Sequence, residues 1–246
     1  MDRSLYVAMT GATQILRAQT EVSHNLANAS TTGFKAELSA FHALPVLGEG
    51  LPTRINAIAR GNGYDFTPGP QSTTGRDLDV AVQGPGWIAV QSPNGGEGYT
   101  RAGNLQLTPD GTLTDSRGDP VLGDGGPITL PPASHVDIGA DGTVSVVPLG
   151  QTPDTLVNVG RIRLVNPPVD QLEQGSDALM HLRNGGQAPA DASVQLASGV
   201  LEGSNVNPST ALVKMIELSR QFEMQMQTVH NDDQNAQAAS QLLQAS

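Results

Sequence analysis

The chain has 246 residues, no cysteine, a formal net charge of −11 and a sequence pI near 4.7. That length fits one large domain or two smaller ones and is ample for a buried core. The lack of cysteine excludes disulfides, thiolate metal sites and a cysteine nucleophile, and the acidic balance argues against a nucleic-acid surface, which needs clustered Lys and Arg.

No run approaches the ~20 apolar residues that a membrane span needs, so membrane insertion is not expected. The first residues do not read as a cleavable secretory signal. Apolar positions there are interrupted by Thr10, Thr13 and Gln14, without a continuous apolar core. Export, if it occurs, must use a route that needs no such signal.

Glycine and proline divide the chain into three zones. Residues 1–36 hold two glycines and no proline, residues 208–246 hold no glycine and one proline, and the rest lie between. Formal charge follows the same division, at +1 for residues 1–36, −10 for 37–207 and −2 for 208–246. Two helix-compatible ends therefore flank a turn-rich, acidic middle.

In the first zone Leu5, Ala8, Ala12, Ile15, Gln19, Val22, Leu26 and Ala29 are spaced alternately three and four apart. That is the seam of a coiled-coil-like helix, with one polar position at Gln19. The helix should stop near Asn28–Ser30, where short polar side chains compete for backbone bonds and Gly33 follows.

The middle zone reads as short antiparallel strands. Leu78, Val80 and Val82 alternate with Asp79 and Ala81, and Trp87–Val90 follow across Gly84-Pro85-Gly86, as a hairpin would. Turn signals then recur as NGG at 94–96, DG at 110–111, RGD at 117–119, GDGG at 123–126 and DG at 141–142. Short apolar segments (105–107, 121–122, 144–147 and 162–165) sit between them.

The last zone repeats the helical spacing through Leu212, Met215, Ser219, Phe222, Met226, Val229, Asp233, Ala236, Ser240 and Leu243. Asn207 is placed to cap this helix, with Pro208 at the first helical position, where its missing N–H is not needed. The expected fold class is mainly β with terminal α-helices. A central antiparallel β domain is flanked by N- and C-terminal coiled-coil-like helices that pair.

Nothing in the sequence forms a catalytic or ligand-binding constellation. The five histidines, His24, His42, His135, His181 and His230, never fall at metal-ligand spacing. No cofactor or metal site is expected, and no nucleophile elbow, Walker loop or dinucleotide fingerprint occurs. The aspartates of the middle zone mostly adjoin glycine and read as turn residues. Arg117-Gly118-Asp119 reads as a tight turn rather than an adhesion ligand.

The distinctive feature is thus a pair of heptad segments at opposite ends of a β domain. A plain helical hairpin would explain them locally. Yet Ala8, Ala12, Ala29 and Ala236 offer little apolar area, whereas ordering each residue costs ~1–2 kcal/mol. Coverage by other subunits would supply what the pair lacks, which points to an assembly protein.

The segment HNLANASTTGFK (24–35) resembles the N-terminal signature of the bacterial flagellar axial proteins: rod, hook and hook-associated. That signature usually carries two asparagines before Leu-Ala-Asn, and His24 stands in for the first. TTGRDLDVAVQGPGWIAVQ (73–91), GYTRAGNLQLTPDGTL (98–113) and VLGDGG (121–126) resemble the β core of rod and hook proteins. SGVLEGSNVNPSTALVKMIELSRQFEMQMQ (198–227) is similar to their C-terminal signature. Within the family, the proximal rod proteins look most similar, with the distal rod proteins next.

The resemblance implies a structural subunit, not an enzyme, in the basal-body rod that crosses the periplasm. It implies terminal helices that assemble helically into an inner tube, export through the flagellar type III apparatus, and transmission of torque. The implied partners are other rod proteins and copies of the chain itself. The expected division is 1–36 for the N-terminal helix and exit, 37–76 for an extended linker, 77–200 for the β-rich outer domain, and 201–246 for the return segment and C-terminal helix. Candidate assembly residues are Leu5, Ala8, Ala12, Ile15, Val22, Leu26, Asn28, Phe34, Asn205, Asn207, Leu212, Met215, Phe222, Met226, Val229, Ala236 and Leu243. Segments 30–35 and 201–208 are expected to run side by side, with Gly33 and Gly203 relieving the crowding. The other reading, a secreted β-rich binding module, would need an aromatic strand face, and only eight aromatic residues occur.

Overall fold

A computed structural model describes residues 2–45, 55–151 and 155–244. The chain forms two compact units: residues 1–29, 36–65 and 206–246 make the first, and residues 30–35 and 66–205 the second. The fold is mainly β, with one helix near each end of the chain and antiparallel strand pairing in every sheet.

In the first unit, helix α1 spans Asp2–Ala27 and helix α2 spans Pro208–Gln244. The expected cap of α2 is formed: Asn207 Oδ1 accepts the Thr210 N–H at 3.1 Å, and its carbonyl accepts the Ala211 N–H at 3.0 Å. Gly11 of α1 lies beside Gln225 of α2, while Ile15 and Ala18 cluster with Leu218, so the helices run antiparallel. Val22 and Phe222 pack onto that cluster.

The buried face of α2 differs from the expected one. Ala211, Met215, Leu218, Phe222, Gln225 and Val229 turn inward, whereas Leu212 and Met226 are 49% and 45% exposed. The column Met215–Phe222–Val229 belongs to both registers, and either neighbouring column can complete it. The expected register buries Ser219, while the observed one buries Leu218 at 0% exposure. Burying a leucine is worth ~1.5–3 kcal/mol, which decides between them. In α1 the expected Ala8, Ala12 and Ile15 are buried and Val22 and Leu26 half-buried, but Ala18 and Gln14 are buried as well. The side chains of Leu5, Ala236 and Leu243 lie outside the described residues.

Residues 37–76, expected as an extended linker, contain a long hairpin. Glu37–Pro45 pairs antiparallel with Ile55–Tyr64, with a register shift between Leu38 and Ser39. A two-stranded hairpin is marginal alone, and this one packs on α1 within the first unit.

The second unit is built on a five-stranded sheet whose strands lie in the order 164–165, 87–91, 97–100, 180–182 and 172–174. A three-stranded sheet of residues 133–138, 143–148 and 157–161 and several two-stranded pairs complete it. Val80, Val82, Ile88, Val90, Leu105, Leu113, Val144, Val146, Leu179 and Leu196 share one core. The turns at 94–96, 110–111, 123–126 and 141–142 each join paired strands as expected.

The hairpin expected across Gly84-Pro85-Gly86 does not form. Val80–Gln83 pairs instead with Gln195–Ser198, and Trp87–Gln91 pairs with Glu97–Thr100 and Leu164–Val165. The alternation at 78–82 marked a strand correctly, but its partner lies over a hundred positions further along the chain. At Gly86 (φ +142°) the Val194 side chain occupies the space a Cβ would need, so only glycine fits where the segment turns between its two separately paired flanks.

Candidate assembly site

α1 ends where its polar residues take over the backbone. Asn28 Nδ2 donates to the His24 carbonyl at 3.0 Å, and its N–H reaches the His24 and Asn25 carbonyls. Asn25, which the sequence reading passed over, closes the chain reversal. Its Nδ2 donates to the Glu37 carbonyl and its Oδ1 accepts the Glu37 N–H, both at 2.9 Å. The amide thereby pairs with Glu37 much as a strand residue would. His24 Nδ1 adds a 3.1 Å contact to the Glu37 carboxylate.

The outer faces of the helix pair carry large apolar residues among their polar ones. Tyr6, Met9 and Leu16 of α1 and Leu212, Val213, Ile216, Met224 and Met226 of α2 are all exposed. A groove on the same unit is lined by Leu16, Gln19, Thr20, Ser23, His24, Ala27 and Met215. Among the candidates, Ile15, Val22 and Phe222 belong to the seam between α1 and α2, and Ala8 and Ala12 are buried on α1. Leu212 and Met226 belong to the outward face.

Within the second unit, the segments through which the chain enters and leaves are stitched together as expected. Gly33 N–H donates to the Glu202 carbonyl at 2.8 Å, and Asn205 N–H reaches the Phe34 carbonyl at 3.4 Å. Phe34 is half-buried. Gly33 (φ +70°) is required, since a Cβ there would lie 2.3 Å from the Arg101 carbonyl carbon. Gly203 is less crowded; the tight position is Gly69, where a Cβ would meet the Gly203 carbonyl oxygen at 2.0 Å.

At the centre of these segments is a buried ionic cluster. Lys35 Nζ donates to Glu202 Oε1 at 2.6 Å and to the Thr67 carbonyl at 2.8 Å. Gly69 N–H donates to the same Oε1, and Arg101 Nη1 donates to Oε2, both at 3.0 Å. Arg101 is anchored through Nε to the Gly86 carbonyl and through Nη2 to that of Gly84, and its guanidinium stacks over Trp87. Burial alone would raise the Glu202 pKa, but the bonds from Lys35 and Gly69 and the charge of Arg101 outweigh it and hold the carboxyl below its ordinary value.

The RGD turn is closed on itself. Asp115 Oδ1 accepts the backbone N–H groups of Arg117 and Asp119, and the Arg117 guanidinium binds Asp115 and the carbonyls of Asp177 and Ala178. Asp177 is held in turn by Ser92 and His181. Burial works against its charge, yet hydrogen bonds from Ser92, His181 and the Leu179 N–H leave its pKa lowered. Among the described residues no group of three or more His, Asp or Glu could hold a metal ion. None of the described helices is long and apolar enough to cross a membrane.

Three family matches fall on these parts of the chain. Residues 5–35 match "Flagella basal body rod protein", residues 81–146 the "Flagellar hook protein FlgE/F/G D1 domain", and residues 197–242 the "Flagellar basal body rod FlgEFG protein C-terminal". The flagellar basal-body rod protein FlgF of Salmonella typhimurium is 46% identical, and that of Escherichia coli 45%, with the whole of each chain covered. The rod protein FlgG of Buchnera aphidicola is 32% identical over 98% of this chain and all of its own. The chain belongs to the flagellar basal-body rod protein family and is a FlgF-like structural subunit of the basal body.

Proposed function

We propose that the chain assembles helically through α1 and α2, with copies of itself and with other rod proteins, to form part of the proximal rod that passes torque outward. The observation that carries this reading is the row of exposed apolar side chains on α2, Leu212, Val213, Ile216, Met224 and Met226, outside the seam with α1. Large apolar residues on a helix already packed on its other face mark a surface that another chain covers. Heterologous contacts of this kind that do not close on themselves build helical filaments. The full-length identities of 46% and 45% to two FlgF proteins support the proximal over the distal position.

In this reading Asn28, Phe34, Asn205 and Asn207 set where the helices end and begin, and the seam residues hold the pair that presents the outer face. Coiled-coil-like packing would then arise among helices of neighbouring subunits. The chain reaches the rod through the flagellar type III export apparatus. Its role is mechanical rather than catalytic.

The test is complementation of a strain lacking this protein. Ile216→Asp should abolish swimming while the purified protein keeps its β signal and thermal unfolding midpoint. Full motility with Ile216→Asp would remove the assembly surface from this face of α2.

A further inference from the structure

Four covalent connections join the two units, at residues 29/30, 35/36, 65/66 and 205/206. All four are the ends of three short segments of the second unit: 30–35, the stretch beginning at Phe66, and the stretch ending at Asn205. Glu202 lies in the last of these and bonds to the other two. Its carbonyl accepts the Gly33 N–H, its Oε1 accepts Lys35 Nζ and the Gly69 N–H, and its Oε2 is held by Arg101. Further bonds tie the segments to one another: Lys35 Nζ and Asn205 Nδ2 share the Thr67 carbonyl, and Gly203 N–H donates to the Pro70 carbonyl.

We infer that Glu202 is a positioning residue that fastens all four connections to the β unit, so that load enters it through one stitched joint. The inference rests on the torque-transmitting role proposed above. Two features of the cluster support it. Lys35 and Glu202 are 2% and 0% exposed and are separated by 167 positions, so a buried ion pair ties the first exit segment directly to the last. Removing one partner of a pair buried this deeply is strongly unfavourable, which favours keeping the segments closed on one another. Arg101 then carries the hold inward, because its other nitrogens grip the Gly84 and Gly86 carbonyls beside the core strand at 87–91. The cluster therefore couples the chain's entry and exit points to Arg101, which directly follows the sheet strand at 97–100, and through it to the 84–86 turn that leads into the strand at 87–91.

Hydrogen exchange on the full-length protein tests the joint. Glu202→Gln keeps the shape but sets an amide among three donors. Lys35→Met removes one charge and leaves Arg101 and Gly69 on the carboxylate. Either should speed exchange in 30–35, 66–70 and 201–205 together by about tenfold or more while 80–90 stays protected. Asn205→Ala should loosen only its own neighbourhood. Loosening confined to the substituted segment, or spread equally into 80–90, would overturn the inference. So would failure of both Glu202→Gln and Lys35→Met to fold.

A second measurement separates fastening from mere stability. Cells relying on Lys35→Met should swim in ordinary medium but lose speed disproportionately as viscosity is raised. The same viscosity dependence as wild type, with exchange loosened, would overturn the mechanical role of the joint. Loss of assembly with Ile216→Asp is read independently of either result.

Discussion

The side-chain amide of Asn25 is paired on both sides with the backbone of Glu37, donating to its carbonyl and accepting its N–H at 2.9 Å. This pairing joins the end of α1 to the first residue of the long hairpin. It explains why an asparagine suits this place in the HNLAN segment. A side-chain amide sets an N–H donor beside a carbonyl acceptor, as a peptide group needs, whereas an ionised aspartate offers acceptors only. Asn25→Asp should therefore destabilise the first unit by about 1–3 kcal/mol, because the Glu37 carbonyl would face a second acceptor. Exchange measured across 37–64 should rise, and an unchanged pattern would remove this role.

The observed register of α2 makes a sharper claim about two neighbouring columns. Leu218→Ala should lower the stability of the helix pair by about 2–5 kcal/mol, since it empties a fully buried site. Leu212→Ala, at a half-exposed site, should change it by less than about 0.5 kcal/mol. Circular dichroism at 222 nm against temperature would rank the two. The opposite ranking would restore the register with Leu212, Ser219 and Met226 inward.

Glu202 sets a pH dependence of known sign. Its folded pKa lies below the ordinary 4.5 despite burial, so folding favours the ionised carboxylate. The stabilisation is complete above the ordinary carboxylate range and is lost as pH falls through the lower folded value. Glu97 acts in the opposite sense, because burial first of all raises its pKa, against the lowering effects of Arg163 and Tyr99. Acid titrations of stability should show a steep loss below pH ~4.5 in the wild type. Glu202→Gln should start less stable at neutral pH and show a shallower slope. Equal slopes would separate the carboxylate from acid unfolding.

Two glycines with nearly the same φ should respond differently to alanine. Gly33 (+70°) faces the Arg101 backbone, whereas Gly75 (+71°) has open space where a Cβ would go. Gly75→Ala should cost about 1 kcal/mol from the left-handed conformation alone. Gly33→Ala adds a clash with backbone and should cost several times that, on the order of 3 kcal/mol or more. Denaturant midpoints of the two variants provide the comparison, and equal midpoints would contradict the crowding at Gly33.

The RGD turn yields a prediction about its own construction. Asp115 accepts both backbone N–H groups of the turn and pairs with Arg117, while Asp119 makes a longer 3.6 Å contact with that guanidinium. Asp115→Ala should destabilise the β unit by about 1–3 kcal/mol through the lost bonds. Asp119→Ala should leave motility and stability close to wild type. If Asp119→Ala were the more damaging in swimming assays, the turn would have a ligand outside this chain.

What the sequence determined by itself is the local part of this protein. The helices were legible because periodicity, the Asn207–Pro208 start and the polar stop after Asn28 act within a turn or two of the backbone. The turns at 94–96, 110–111, 123–126 and 141–142 were legible because glycine and aspartate specify them locally. The resemblance carried by 24–35 and 198–227 pointed to the family. Tertiary structure decided whatever depends on partners distant in the chain. Two α2 registers share the Met215–Phe222–Val229 column, and only packing against Ile15 and Ala18 chooses Leu218 over Ser219. The strand at 80–83 was visible, but its pairing with 195–198 was not, because alternation specifies a face and not a neighbour. Lys35, Arg101 and Glu202 look like ordinary surface charges in the sequence. They become one buried cluster only when three distant segments converge, and the burial that makes each charge unfavourable alone is what makes their pairing specific.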